Sequence, residues 1–177
     1  MILDLCGGTG AWSKPYVEAG YKVEVIDILD GKDVRLVQKL HGVRGILAAP
    51  PCTHLARSGA RWWESKGENA LLEGLVTVDA CLRVIWACKP VWWALENPIG
   101  RLTSYLGKPK LYFNPCDYGD PYTKKTCLWG EFNVPEKCPV EPVKGSRIYN
   151  LPDSKGRQRL RSVTPEGFAK AFFKANP

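Results

Sequence analysis

At 177 residues the chain is long enough for one domain with a buried core. Its 45 % apolar and 24 % charged content excludes a disordered or fibrous chain, and no apolar run approaches the ~20 residues of a membrane span. The formal charge of +7 resides wholly in the second half, since basic and acidic side chains balance over residues 1–100.

Residues 2–5 read as a short apolar strand interrupted by Asp4, and residues 6–11 as a Gly-rich turn. A helix is expected over 12–19, with Pro15 tolerated in its first turn and Gly20 ending it. Residues 23–27 form the next strand. A short helix over 33–41 and a strand over 45–49 follow. Leu71, Leu72, Leu75, Val76, Val78, Leu82, Ile85 and Trp86 recur at a helical period, which predicts a helix over 68–88 stopped by Lys89-Pro90. Residues 91–95 are the next strand, and 111–113 and 126–129 a closing strand pair. Thr164-Pro165-Glu166 has the form of a helix start, a Thr cap with Pro after it, and the helix it opens should bury Phe168, Ala171 and Phe172. Alternating strands and helices predict one α/β sheet with right-handed crossovers and no internal repeat or linker.

No basic region and cleavage site precede Ile2, so no secretory signal is expected. Seven cysteines, an odd number without tight spacing, fit the reduced thiols of a cytoplasmic protein better than a disulfide framework. With two histidines and no C-x-x-C pair, no metal site is expected, although Cys116, Cys127 and Cys138 are evenly spaced. The densest charge is Lys144, Arg147, Lys155, Arg157, Arg159 and Arg161 against Asp153 alone. Such a stretch either follows a polyanion or forms a solvated loop, as Gly145, Pro152, Ser154 and Gly156 would favour.

The turn after the first strand carries the cofactor reading. Gly7, Gly8 and Gly10 allow close approach of backbone to a ligand. Asp27 ends the second strand about 20 residues on, where an acid can accept the hydroxyls of a ribose. Asp4 beside the glycines would repel a pyrophosphate and suits a cofactor with a cationic amino group, such as S-adenosylmethionine. Two further apolar runs end abruptly in chemistry-bearing residues: Pro50-Pro51-Cys52-Thr53, and Glu96-Asn97-Pro98. A thiol and a carboxyl at two strand ends can face one crevice, and that pair is what attack on a pyrimidine ring requires. Asn97 would fix the loop rather than react. Trp62 and Trp63 follow the Cys52 loop, where they either stack on an unpaired base or pack in the core. Trp92, Trp93, Cys6, Cys81 and Cys88 read as packing.

These motifs resemble the cytosine-5 DNA methyltransferases over nearly the whole chain. Asp4-Leu5-Cys6-Gly7-Gly8-Thr9-Gly10 is similar to their first motif, which would hold the methionine part of S-adenosylmethionine. Asp27 with Ile28 resembles the ribose site, Asp33-Val34 the adenine contact, Pro50-Pro51-Cys52 the catalytic motif and Glu96-Asn97 the acid motif. Tyr118-Gly119-Asp120-Pro121 with Lys124, Lys125 and Thr126 resembles the later basic motif, and Arg161-Ser-Val-Thr164-Pro-Glu166 a further block. The resemblance implies a Rossmann-like S-adenosylmethionine-dependent sheet. It makes Cys52, Glu96 and Asn97 catalytic, and has Asp4, Cys6, Gly7, Gly8, Gly10, Asp27, Ile28, Asp33, Val34 and Pro51 bind cofactor. Thr53, Ser58, Lys124, Lys125, Arg157, Arg159 and Arg161 would meet the substrate.

The departures are specific. Thr53 stands where the family usually has Gln, and Pro98 where it has Val. Tyr122, Lys124 and Thr126 fall where Gln and two Arg are usual, so Lys124 or Lys125 must hold the pyrimidine carbonyl. A short basic region over 130–161 replaces the large recognition domain. The implied function is methylation of cytosine C5 in DNA by a monomer with no metal and no membrane partner. Acting on a free nucleotide, single-stranded DNA or tRNA is the alternative, as is an inactive nucleic-acid-binding relative. An amino-methyltransferase would need Asp or Asn before the prolines, where Ala49 stands. A two-cysteine RNA enzyme would need a second Cys in place of Glu96-Asn97.

Overall fold

Four apolar runs pair in parallel: β1 (Ile2–Leu5), β2 (Val23–Ile26), β3 (Gly45–Ala48) and β4 (Trp92–Pro98). Two more, β5 (Leu111–Phe113) and β6 (Thr126–Glu131), complete a six-stranded sheet in the order β2-β1-β3-β4-β6-β5, with β6 antiparallel to both its neighbours. Among the described residues the helices are α1 (Lys14–Glu18), α2 (Trp63–Cys88), α3 (Leu102–Leu106), α4 (Arg157–Ser162) and α5 (Glu166–Ala175). This computed structural model describes residues 1–146 and 157–177, with the backbone alone over 157–159.

The pleat sorts the strand residues onto two cores. Leu3, Leu5, Ile46, Ala48 and Leu95 join Val78, Cys81, Val84 and Ile85 of α2 on one face. Ile2, Leu47, Ala94 and Leu128 meet an aromatic cluster on the other, built from Trp12, Tyr16, Phe168 and Phe172. Phe113 and Phe168 stack with centroids 3.9 Å apart, and Trp92 meets Phe172 edge-on. Each of these fully buried rings contributes about 1.5–3 kcal/mol. The architecture is therefore an α/β Rossmann-like sheet with helices on both faces. From β1 the chain passes to β2 on one side and then returns to β3 on the other. That reversal opens a crevice beyond the carboxyl ends of β1 and β3.

Five local expectations differ from the structure. Residues 33–41 make only a 3-10 turn, Val34–Leu36, and no helix. The Arg83 guanidinium on α2 donates to the carbonyls of Val34, Arg35 and Val37, which a helix would need for its own ladder. β4 runs on to Pro98 because β6 pairs with it that far. α2 begins at Trp63, but Gly67 at φ 69° breaks it, so the regular helix starts where the periodicity does. The N-terminus of α5 has no side-chain cap from Thr164. The Gly167 N–H donates instead to Asp120 Oδ2 at 2.9 Å. Ala169 is buried in that helix and Ala171 only partly.

Candidate active site

The turn after β1 is shaped around a buried carboxyl. Cys6 takes φ 56° and its N–H donates to the Ile26 carbonyl, carrying the chain sharply out of the sheet. Asp4 is fully buried, and Ser13 Oγ donates to its Oδ2 at 2.6 Å. Its Oδ1 has no partner among the described residues. Burial raises the Asp4 pKa to about 6, with the nearby Asp27 charge adding to the rise and the Ser13 hydrogen bonds opposing it. A side chain at position 7 would drive its Cβ to 2.5 Å from Asp4 Cγ, so only Gly7 fits over the carboxyl. Asp27 ties this turn to β2: its Oδ2 accepts the Gly8 N–H at 2.8 Å and its Oδ1 the Leu29 N–H at 2.9 Å. Each oxygen keeps acceptor capacity for a ligand.

The second group forms at the ends of β3 and β4. Asn97 is buried, and its Nδ2 donates to the Pro50 carbonyl at 2.9 Å, which fastens the Pro-Pro-Cys loop to β4. The Cys52 carbonyl accepts the N–H groups of Leu55 and Ala56, so the loop turns directly after the thiol. Antiparallel pairing sets Pro98 opposite Thr126, which brings the residues before β6 beside Glu96. Lys124 Nζ lies 3.9 Å from Glu96 Oε1, with side chains only 11 % and 18 % exposed. The Thr126 hydroxyl donates to the Lys124 carbonyl and pins that approach.

The electrostatics join four side chains. Burial pushes the Cys52 thiol above its ordinary value, the Glu96 charge adds to this, and Lys124 and Arg161 pull it down. Burial likewise holds Glu96 above the usual carboxylate range, opposed by Lys124. A cavity of about 410 Å³ lies beside Lys124 and Arg161, lined also by Ala11, Lys14, Tyr122 and the Thr164-Pro165-Glu166 start of α5. Lys124 and Arg161 line this space, and Cys52 and Glu96 do not.

The remaining sequence candidates fall in several places. Gly10 takes φ 68° in the turn, and Cys6 is hydrogen-bonded to Cys81 of α2 as part of the packing. Ile28 is exposed beside Asp27. Val34 is buried in the core, and Asp33 caps the 3-10 turn while pairing with the Arg35 guanidinium at 2.6 Å. Pro51, Thr53 and Ser58 are on the surface of the loop that follows β3. Lys125 Nζ lies 5.8 Å from the Tyr112 ring centroid, and Lys124 rather than Lys125 pairs with Glu96. Arg157 and Arg159 stand on α4 with Arg161, but their side chains, like Arg147 and Lys155, lie outside the described residues. Among the described residues no cluster of His, Cys, Asp or Glu is placed to hold a metal.

Sequence reasoning missed Ser13. Ser13 has the sequence signature of a helix cap, but its hydroxyl serves Asp4 and leaves the helix uncapped. No family model matches the chain, and no curated protein does. Among solved structures, one similar chain is an E. coli prophage protein provisionally described as a DNA modification methyltransferase. It is 18 % identical with a TM-score of 0.47, over 86 % of this chain and 55 % of that one. The chain therefore spans about half the length of that structure, and a likeness of this strength says nothing of substrate.

Proposed function

We propose that the chain transfers a methyl group from S-adenosylmethionine to C5 of cytosine in DNA through a covalent adduct at Cys52. The observation that carries this reading is the gathering of Cys52, Glu96, Lys124 and Arg161 at the carboxyl ends of β3 and β4, next to the Gly-rich turn of β1. The turn suits the cofactor on two counts. Asp4 presents an unpartnered buried oxygen for a cationic amino group, and Asp27 keeps lone pairs for ribose hydroxyls. S-adenosylmethionine, when bound, supplies an electrophilic methyl group.

The protein's own residues do the rest. Solvent takes the Cys52 proton, and the sulfur bonds to C6 of the ring as the C5–C6 double bond opens, which leaves its electron pair on C5 and makes that carbon carbanion-like. Glu96, held above the usual carboxylate range by burial against the pull of Lys124, shares a proton with ring N3 and stabilises the charge that builds there. Lys124 meets the ring carbonyl in place of an arginine. Lys124 and Arg161 both favour the thiolate and oppose only in part the burial and the Glu96 charge, which leave the thiol above its ordinary value. After C5 is alkylated, its proton leaves to a base and the Cys52 sulfur is expelled as the ring recovers its double bond. The cytosine must be unstacked to reach the thiol.

The test uses an oligonucleotide carrying 5-fluorocytosine with S-adenosylmethionine. Fluorine cannot leave as a proton does, so a covalent adduct at Cys52 is expected by intact mass and peptide mapping. Cys52→Ser should give neither adduct nor turnover while still binding the cofactor. An adduct on another cysteine, or turnover by the serine variant, overturns the proposal.

A further inference from the structure

The segment joining the Cys52 loop to α2 carries a second set of residues that the chemistry above does not use. It is the 3-10 helix Arg57–Trp62, held at its start by the Arg57 N–H on the Ile99 carbonyl and flanked by the Arg101 N–H on the Leu55 carbonyl. The loop of the thiol and the loop after Glu96-Asn97-Pro98 are thus fastened to one another here, also through an Ala56–Gly100 bridge. Trp62 is 52 % exposed, and the Arg61 guanidinium lies 5.0 Å from its ring centroid. The Arg101 guanidinium lies 4.2 Å over the neighbouring Trp63 ring. Neither arginine has a carboxylate partner in a salt bridge among the described residues.

Trp63 has a further mark of a ligand site. Its indole N–H is buried and unpartnered. A cavity of about 220 Å³ opens beside it, bounded by Glu64, Gly67, Glu68, Leu71 and Arg101. That is below the ~300–1,000 Å³ of drug-sized sites, so it has room for a single planar ring. Gly67 breaks the helix here, and no atom lies within 4 Å of where its Cβ would be, which leaves the cavity open on that side.

An exposed indole with an arginine on it, beside a second arginine–indole pair, is the combination that holds unpaired bases. The π face stacks on a base irrespective of sequence, and the guanidinium attracts the phosphate. We propose that Trp62 and Trp63, with Arg61 and Arg101, form a stacking site for a base of single-stranded nucleic acid next to the target cytosine. This deepens the proposed function, on which it rests for the target base, and assigns the protein an unpaired strand as its substrate class. The strand need not be flipped out of a duplex.

The experiment measures binding of a fluorescein-labelled single-stranded oligodeoxynucleotide by anisotropy, alongside quenching of tryptophan emission, with a duplex of the same sequence as comparison. The wild-type chain should bind the single strand more tightly than the duplex and lose tryptophan emission on binding. Trp62→Ala should weaken binding about tenfold or more, as loss of one stacked base does. Trp62→Phe, which keeps a π face, should restore most of the affinity, and Arg61→Gln should reduce the salt dependence. Trp62→Ala binding the single strand as tightly as the wild type, or wild type preferring the duplex, overturns the proposal. The 5-fluorocytosine adduct is read separately. Its absence removes the methyl-transfer reading and leaves the stacking result standing, whereas its presence with an unaffected Trp62→Ala removes the stacking site alone.

Discussion

Replacing Asp4 by Asn should abolish a pH-dependent stability cost that the wild-type chain carries near neutrality. The Asp4 carboxyl titrates at about 6 in the folded protein against 3.8 in the unfolded chain, because it is buried with one oxygen unpaired. A gap of roughly two units corresponds to about 3 kcal/mol at ~1.36 kcal/mol per unit. The folded state binds the proton more tightly, so stability from this group is fully present below pH 3.8. It is lost as the pH rises through about 6. Asn cannot ionise. Relative to wild type, the variant should therefore gain about 3 kcal/mol between pH 3.8 and pH 7, on top of a constant offset from its unpartnered amide. Urea unfolding followed by tryptophan emission at both pH values reads this, and the difference between the two proteins cancels the other carboxylates. A difference that is the same at both pH values would refute the burial argument. The same carboxyl is the expected partner of the cofactor's amino group. Wild type should therefore bind S-adenosylmethionine more weakly below pH 6, and Asp4→Asn should bind it weakly at every pH, by calorimetry.

Three other outcomes are expected. Asn97→Ala leaves the buried Pro50 carbonyl without its donor, which should cost about 1–3 kcal/mol in thermal or urea unfolding and lower kcat by displacing Cys52. Lys124→Met removes a cation that favours the thiolate, so the Cys52 thiol should rise further and react more slowly with iodoacetamide at neutral pH. Its pH–rate profile should shift upward, and an unmoved profile would separate Lys124 from the thiol. If Lys155, Arg157 and Arg159 contact phosphate, replacing all three by Ala should lower the log–log salt slope of nucleic-acid binding by roughly 0.7 to 0.9 per contact. An unchanged slope would make this run a solvated loop.

Local signals were legible without the fold. The helix after Gly67 declared itself by period, the strands by short apolar runs, and the Gly-rich turn by residues that tolerate positive φ. Asn97 was read as a fixing residue, and its bond to Pro50 is of that kind. What lay beyond the sequence was every contact made by residues distant along the chain. Lys124 reaches Glu96 because β6 runs antiparallel to β4 in one particular register. Ser13 serves Asp4 rather than its own helix, Asp120 rather than Thr164 caps α5, and Arg83 takes the carbonyls that residues 33–41 would have used for a helix. Propensity and periodicity report what a segment favours by itself, and these polar groups have several comparable partners locally. Which partner wins is decided by burial, because a buried donor or acceptor left unpaired costs more than any local preference supplies.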